Sequence, residues 1–155
     1  MIKVGFSRSN SIVGAIIRWF TKSEVNHVFL IFPLGGFEWV LEASWFGVYI
    51  IPYERYVIHA NVTRVFEIEE AKLNSMSMLR FIGAGYDYAG LIGMAWVMLG
   101  RSLRRGWRNP WQSQKASFCS EMVASLLIEA KYPGAKELDP RQTSPEDLLK
   151  LLDKR

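Results

Sequence analysis

Along the first third of the chain the apolar positions change their period. Ile12, Ile16, Trp19 and Phe20 recur at helical spacing, and Ser9 or Ser11 can cap a first helix that ends near Thr21. From His27 the pattern becomes that of strands. HVFLIF (His27–Phe32) and FEWVLEA (Phe37–Ala43) are rich in aromatic and branched residues, and Pro33-Leu34-Gly35-Gly36 separates them, which predicts a β-hairpin. Gly47–Ile51, before Pro52, and Asn61–Ile68 add two more strands. About four strands or more are therefore expected in one antiparallel sheet.

Beyond Glu69 the period is helical again, over Ala71–Ile82, Tyr88–Leu99, Phe118–Lys131 and a short last segment. That last helix carries its own start signal in Ser144-Pro145-Glu146-Asp147: an N-cap, a proline in the first turn and two acids. Strands in one block and helices in another indicate an α+β fold. No linker, repeat or low-complexity tract divides the 155 residues, so 1–155 is read as a single domain.

Composition narrows the chemistry. One cysteine excludes an intramolecular disulfide, and with only His27 and His59 beside it a Cys/His zinc site lacks ligands. No metal and no cofactor is expected. The opening MIKVGFSRSNS lacks the apolar core of a signal peptide, which predicts a cytoplasmic protein. Ala89–Gly100 is apolar for twelve residues, short of the ~20 that span a bilayer. It reads as a buried helix, leaving at most a peripheral membrane or cell-wall contact. The net charge of +4 is spread along the chain, with one cluster at Arg101, Arg104, Arg105 and Arg108. No nucleic-acid module accompanies it.

Cys119 lies on an apolar stripe with Met122, Val123, Leu126, Leu127 and Ala130, as a small core residue would. With Ser117 as N-cap it also falls in the first turn of its helix, where unpaired N–H groups stabilise a thiolate and can hold an oxyanion. A four-residue hairpin loop closed by Phe32 and Phe37 makes paired residue numbers sum to 69 and sets His27 opposite Glu42. A carboxylate there fixes the imidazole tautomer and frees the other nitrogen to act as a base. That face continues with Phe29/Val40 and Ile31/Glu38, the other carries Val28/Leu41 and Leu30/Trp39, and a one-residue slip would exchange them. His59 has no such partner and is read as structural.

In this order, these residues resemble the circularly permuted branch of the NlpC/P60 papain-like superfamily, which includes thiol amidases, peptidases and lecithin:retinol acyltransferase-like proteins. SRSNSIVGAIIRWFTKSEVNHVFL is similar to its entry helix and histidine strand, and VLEASWFGVYIIP to the strands that follow. GAGYDYAGLIG resembles its tyrosine-aspartate motif, SFCSEMVASLL its nucleophile helix and TSPEDLLKLL its closing helix. The resemblance implies a papain-like fold with Cys119 as nucleophile, His27 as general base and Glu42 orienting the imidazole. Tyr86 would place the substrate carbonyl or complete the oxyanion hole. It further implies hydrolysis of an amide or isopeptide bond through an acyl-thioester, with peptidoglycan peptides as one substrate class. Lipid acyl hydrolysis or transfer, and a non-catalytic binding module on the same scaffold, stay open as alternatives. Arg101–Lys115 has no clear family counterpart, and Arg104 and Trp107 within it are candidates for substrate contact.

Overall fold

Val28–Phe32 is apolar without a break, and the fold accounts for this by covering both faces of the strand that contains it. The computed structural model describes residues 1–8, 15, 18–19, 23–44, 46–68, 75–85, 100 and 119–154. Five strands, β1 (Ile2–Arg8), β2 (His27–Leu34), β3 (Phe37–Ser44), β4 (Gly47–Pro52) and β5 (Asn61–Ile68), form one sheet in the order β4-β3-β2-β1-β5. Every neighbouring pair is antiparallel. The helices described are α1 (Tyr53–His59), α2 (Ser75–Leu79), α3 (Cys119–Glu129) and α4 (Pro145–Asp153). The class is α+β with an antiparallel sheet, as the period changes suggest. None of the described helices is long and apolar enough to cross a membrane.

One face of the sheet builds the main core. Ile2, Val4 and Phe6 of β1, Val28, Leu30 and Phe32 of β2, and Leu41 and Ala43 of β3 pack with Met122, Val123, Leu126 and Leu127 of α3 and Leu148 and Leu152 of α4. The intervening residues Phe29, Ile31 and Val40 point the other way, into a smaller cluster closed by Tyr56 of α1. Gly5 belongs to this second face: a Cβ there would lie 2.3 Å from the Phe29 ring. The strand carries a glycine because the ring lies across its backbone.

The hairpin departs from the expected register. Its turn is the two residues Gly35 and Gly36, at φ 64° and 83°, closed by the pair Leu34↔Phe37. Two consecutive left-handed residues match the twist of the flanking strands. Pairs therefore sum to 71, as Leu30 with Leu41, rather than 69. Pro33 does not end β2 because the pairing with β1 stops at Lys3↔Ile31, so its missing N–H breaks no ladder there. The difference is two residues, which leaves every side chain on its expected face.

α3 ends in a Schellman motif. The N–H of Tyr132 donates to the Leu127 carbonyl at 2.9 Å and that of Lys131 to Ile128 at 3.0 Å, with Lys131 at φ 54°. α4 starts as its sequence indicates, in a capping box where the Ser144 hydroxyl accepts from the Asp147 N–H and the Asp147 carboxylate accepts from the Ser144 N–H. The two helices are tied at their starts: the buried Ser120 hydroxyl donates to the Thr143 carbonyl at 2.7 Å. The helices expected before Thr21 and over Tyr88–Leu99 lie largely or wholly outside the described residues.

Candidate active site

His27 is the first residue of β2, opposite Ser7 of β1. Glu42 lies within β3, opposite Tyr49 of β4. With pairs summing to 71, the two are diagonal rather than directly opposed, and a histidine and a glutamate are long enough to meet across that gap. The Nε2 of His27 is 3.0 Å from a carboxylate oxygen of Glu42. Its ring also stacks on Phe29, centroids 6.3 Å apart and planes at 26°. The partner expected for His27 is thus present, by a different register from the one expected.

Glu42 is only 7 % exposed, and a buried carboxylate needs donors. Nε2–H of His27 and the Tyr49 hydroxyl donate to it, and the Tyr56 hydroxyl lies near enough to favour its ionised form. Burial pushes its carboxyl upward, and these donors with the positive His27 reverse that, leaving it below the usual carboxylate range. The Tyr56 hydroxyl lies 3.4 Å from the Ser7 hydroxyl, and its ring rests on Phe29 at 4.5 Å.

Cys119, 5 % exposed, is the first described residue of α3. It packs with the main core, yet its sulfur reaches the end of β2. The His27 imidazole stands next to it, and that ring together with the backbone N–H groups of Val28 and Ser120 favours the ionised sulfur. With Nε2 committed to Glu42, Nδ1 is the imidazole nitrogen left for the sulfur. Burial disfavours the thiolate, but the His27 imidazole and the two N–H groups outweigh it, so the thiol is held below its ordinary value. Burial likewise lowers His27, and the thiolate and Glu42 together overcome it, raising the imidazole to about 10. Both shifts favour a thiolate–imidazolium pair.

Tyr49, Tyr56 and Ser7 were not expected here. For Tyr49 a signal existed: Ser44 pairs with Gly47, and that two-residue connection carries Tyr49 to Glu42. Tyr56 could not be found that way, because it comes from a helix crossing the sheet. His59 ends α1, exposed. Tyr86, Arg104, Trp107 and Ser117, the expected N-cap, lie outside the described residues. Among the described residues no group of three or more His, Cys, Asp or Glu side chains is placed to hold a metal ion.

What this arrangement can do follows from its parts. A thiol that favours its ionised form, an imidazole beside it and a buried carboxylate on the far side of that imidazole are the kinds of group that acyl transfer uses. A scan of protein-family models and a search of curated proteins give no match to this chain.

Proposed function

We propose that this chain is a cysteine-dependent hydrolase of the permuted NlpC/P60 type, cleaving an amide or isopeptide bond through an acyl-thioester. The observation that carries the reading is the His27 imidazole set between two groups: its Nε2 is 3.0 Å from the buried Glu42 carboxylate, and its charge favours the ionised sulfur of Cys119. In the first step the Cys119 thiolate forms a bond to the carbonyl carbon, and the carbonyl oxygen takes the negative charge. Collapse breaks the C–N bond, and the proton on His27 goes to the departing amine. Neutral His27 then takes a proton from water, whose oxygen attacks the thioester. The C–S bond breaks, the acid leaves, and the thiolate–imidazolium pair is restored. Peptidoglycan stem peptides are the substrate class favoured by the motif resemblance.

The test is to trap the acyl-enzyme. Incubation with a pool of peptidoglycan fragments and, separately, with phospholipid vesicles, followed by intact mass measurement, should show a peptidyl adduct on Cys119 from the first and none from the second. A fatty-acyl adduct would move the reading to lipid acyl chemistry. Hydrolysis that survives Cys119→Ala, or a thiol that alkylates only when the protein unfolds, would overturn it in favour of a binding module.

A further inference from the structure

We infer that Tyr49 and Tyr56 are positioning residues for this reaction, their two hydroxyls converging on the Glu42 carboxylate to hold it, and through it the His27 ring, in register with Cys119. The inference rests on the proposed thiol chemistry. The two phenols approach one buried carboxylate from different elements: Tyr49 from β4, directly opposite Glu42, donates to it, and Tyr56 from α1, held 3.4 Å from the Ser7 hydroxyl, is close enough to favour its ionised form. One carboxylate oxygen receives the Nε2–H of His27 and the other the Tyr49 hydroxyl, so the group cannot rotate without breaking a bond.

Each phenol is itself fixed. Tyr49 sits in the ladder pairing of β3 with β4. Tyr56 is wedged by the Phe29 ring and by Ser7, and Phe29 keeps its place because β1 carries Gly5 beneath it. Among the described residues the groups that face Glu42 and its partners are Ser7 from β1, His27 from β2, Ser44 from β3, Tyr49 from β4, Tyr56 from α1 and Cys119 from α3. Without the two hydroxyls, the buried carboxylate would keep a single donor and bind a proton more readily. A protonated Glu42 no longer supports the imidazolium, and the thiol loses the charge that keeps it ionised.

The experiment follows the rate of Cys119 alkylation by iodoacetamide across pH in the wild type, Tyr49→Phe, Tyr56→Phe and the double variant, with thermal melting of each. In the wild type the rate should rise well below the ~8.5 of a free cysteine. The double variant should move that rise upward by about one pH unit, making alkylation on the acid side of the wild-type rise roughly tenfold slower while the rate at high pH is unchanged. Should the double variant not fold, the single ones carry the test with about half the displacement each. Each removes one oxygen and keeps a ring that packs as before. A displaced midpoint of melting with an unmoved pH profile would show a merely structural role and overturn the inference, leaving the thiol chemistry intact. A wild-type profile like that of free cysteine would overturn both.

Discussion

The two faces of the sheet are built from the same strands and do different work. On the larger face Val28, Leu30, Phe32, Leu41 and Ala43 of the strands pack against apolar residues of α3 and α4, and Leu30, Leu41, Met122, Val123 and Leu127 have no measurable exposure. On the smaller face the apolar cluster is Phe29, Ile31, Val40 and Tyr56, and beside it are buried Ser7 and Glu42 and the half-buried His27. A face packed only with hydrocarbon supplies stability and tolerates no chemistry. The other face gives up some burial, and each polar group on it is matched by a partner on a neighbouring element. Cys119 belongs to the first face by packing and to the second by its pairing with His27, which places the reactive sulfur where the two meet.

The strongest way to break this division is Cys119→Ala, expected to lower the proposed hydrolysis by at least about a thousandfold while the protein still melts cooperatively. Initial rates and a melting curve on one sample decide it. Leu126→Ala tests the opposite face and should cost about 2–5 kcal/mol in urea unfolding while leaving the pH dependence of thiol alkylation unmoved. Gly5→Ala should do less to stability, about 1–3 kcal/mol, yet disturb the site, because the added methyl displaces Phe29 and with it the rings of His27 and Tyr56. Slower alkylation of a still-folded Gly5→Ala protein is the expected reading.

Stability against pH sharpens the comparison next. The raised His27 contributes stability that is full below its ordinary 6.5 and is lost as pH rises through about 10. The lowered Cys119 contributes stability that is full above its ordinary 9.0 and is lost as pH falls through its folded value. Between about 6.5 and 9 the two slopes cancel, since the folded pair and the unfolded pair each hold one proton. Unfolding free energy should therefore be flat across that window as far as this pair decides it, and fall on either side. Glu42, also lowered, adds to the acid-side loss. In Cys119→Ala the plateau should disappear. The smallest effect expected is a gain: Lys131→Gly relieves a left-handed residue at the end of α3 and should add a few tenths to about 1 kcal/mol, measured as a higher urea midpoint.

Much of this was legible because the signals were local. The strands from β2 to β5 announce themselves by aromatic and branched residues, α3 by its stripe and α4 by its capping box. β1 is hard to read from sequence although Ile2, Val4 and Phe6 alternate, because Gly5 interrupts a short run whose reason is a ring contributed by another strand. α1 is seven residues long, too short to display a helical period, and YERYVIH is rich in strand-forming types. Pro33 suggested an early turn, and only the place where β1 stops explains why it does not make one. The pairing of His27 with Glu42 survived that error because it depended on which face each residue occupies. The two tyrosines depended on β4 and α1 arriving at Glu42, information that is held in tertiary contact alone.

The tip of the hairpin has a further consequence for how such a chain can vary over time. Gly35 and Gly36 project into open space, with nothing within 4 Å of a side chain added at either. Lengthening the tip costs little. A change that slides β3 by two residues turns the diagonal meeting of His27 and Glu42 into a direct one, and both geometries let the side chains touch. A slide by one residue carries Glu42 through to the hydrocarbon face and parts it from His27. Descendants of this chain should therefore differ in hairpin register by even steps only, an inherited parity that a set of divergent sequences would display even where the residues of the tip share nothing.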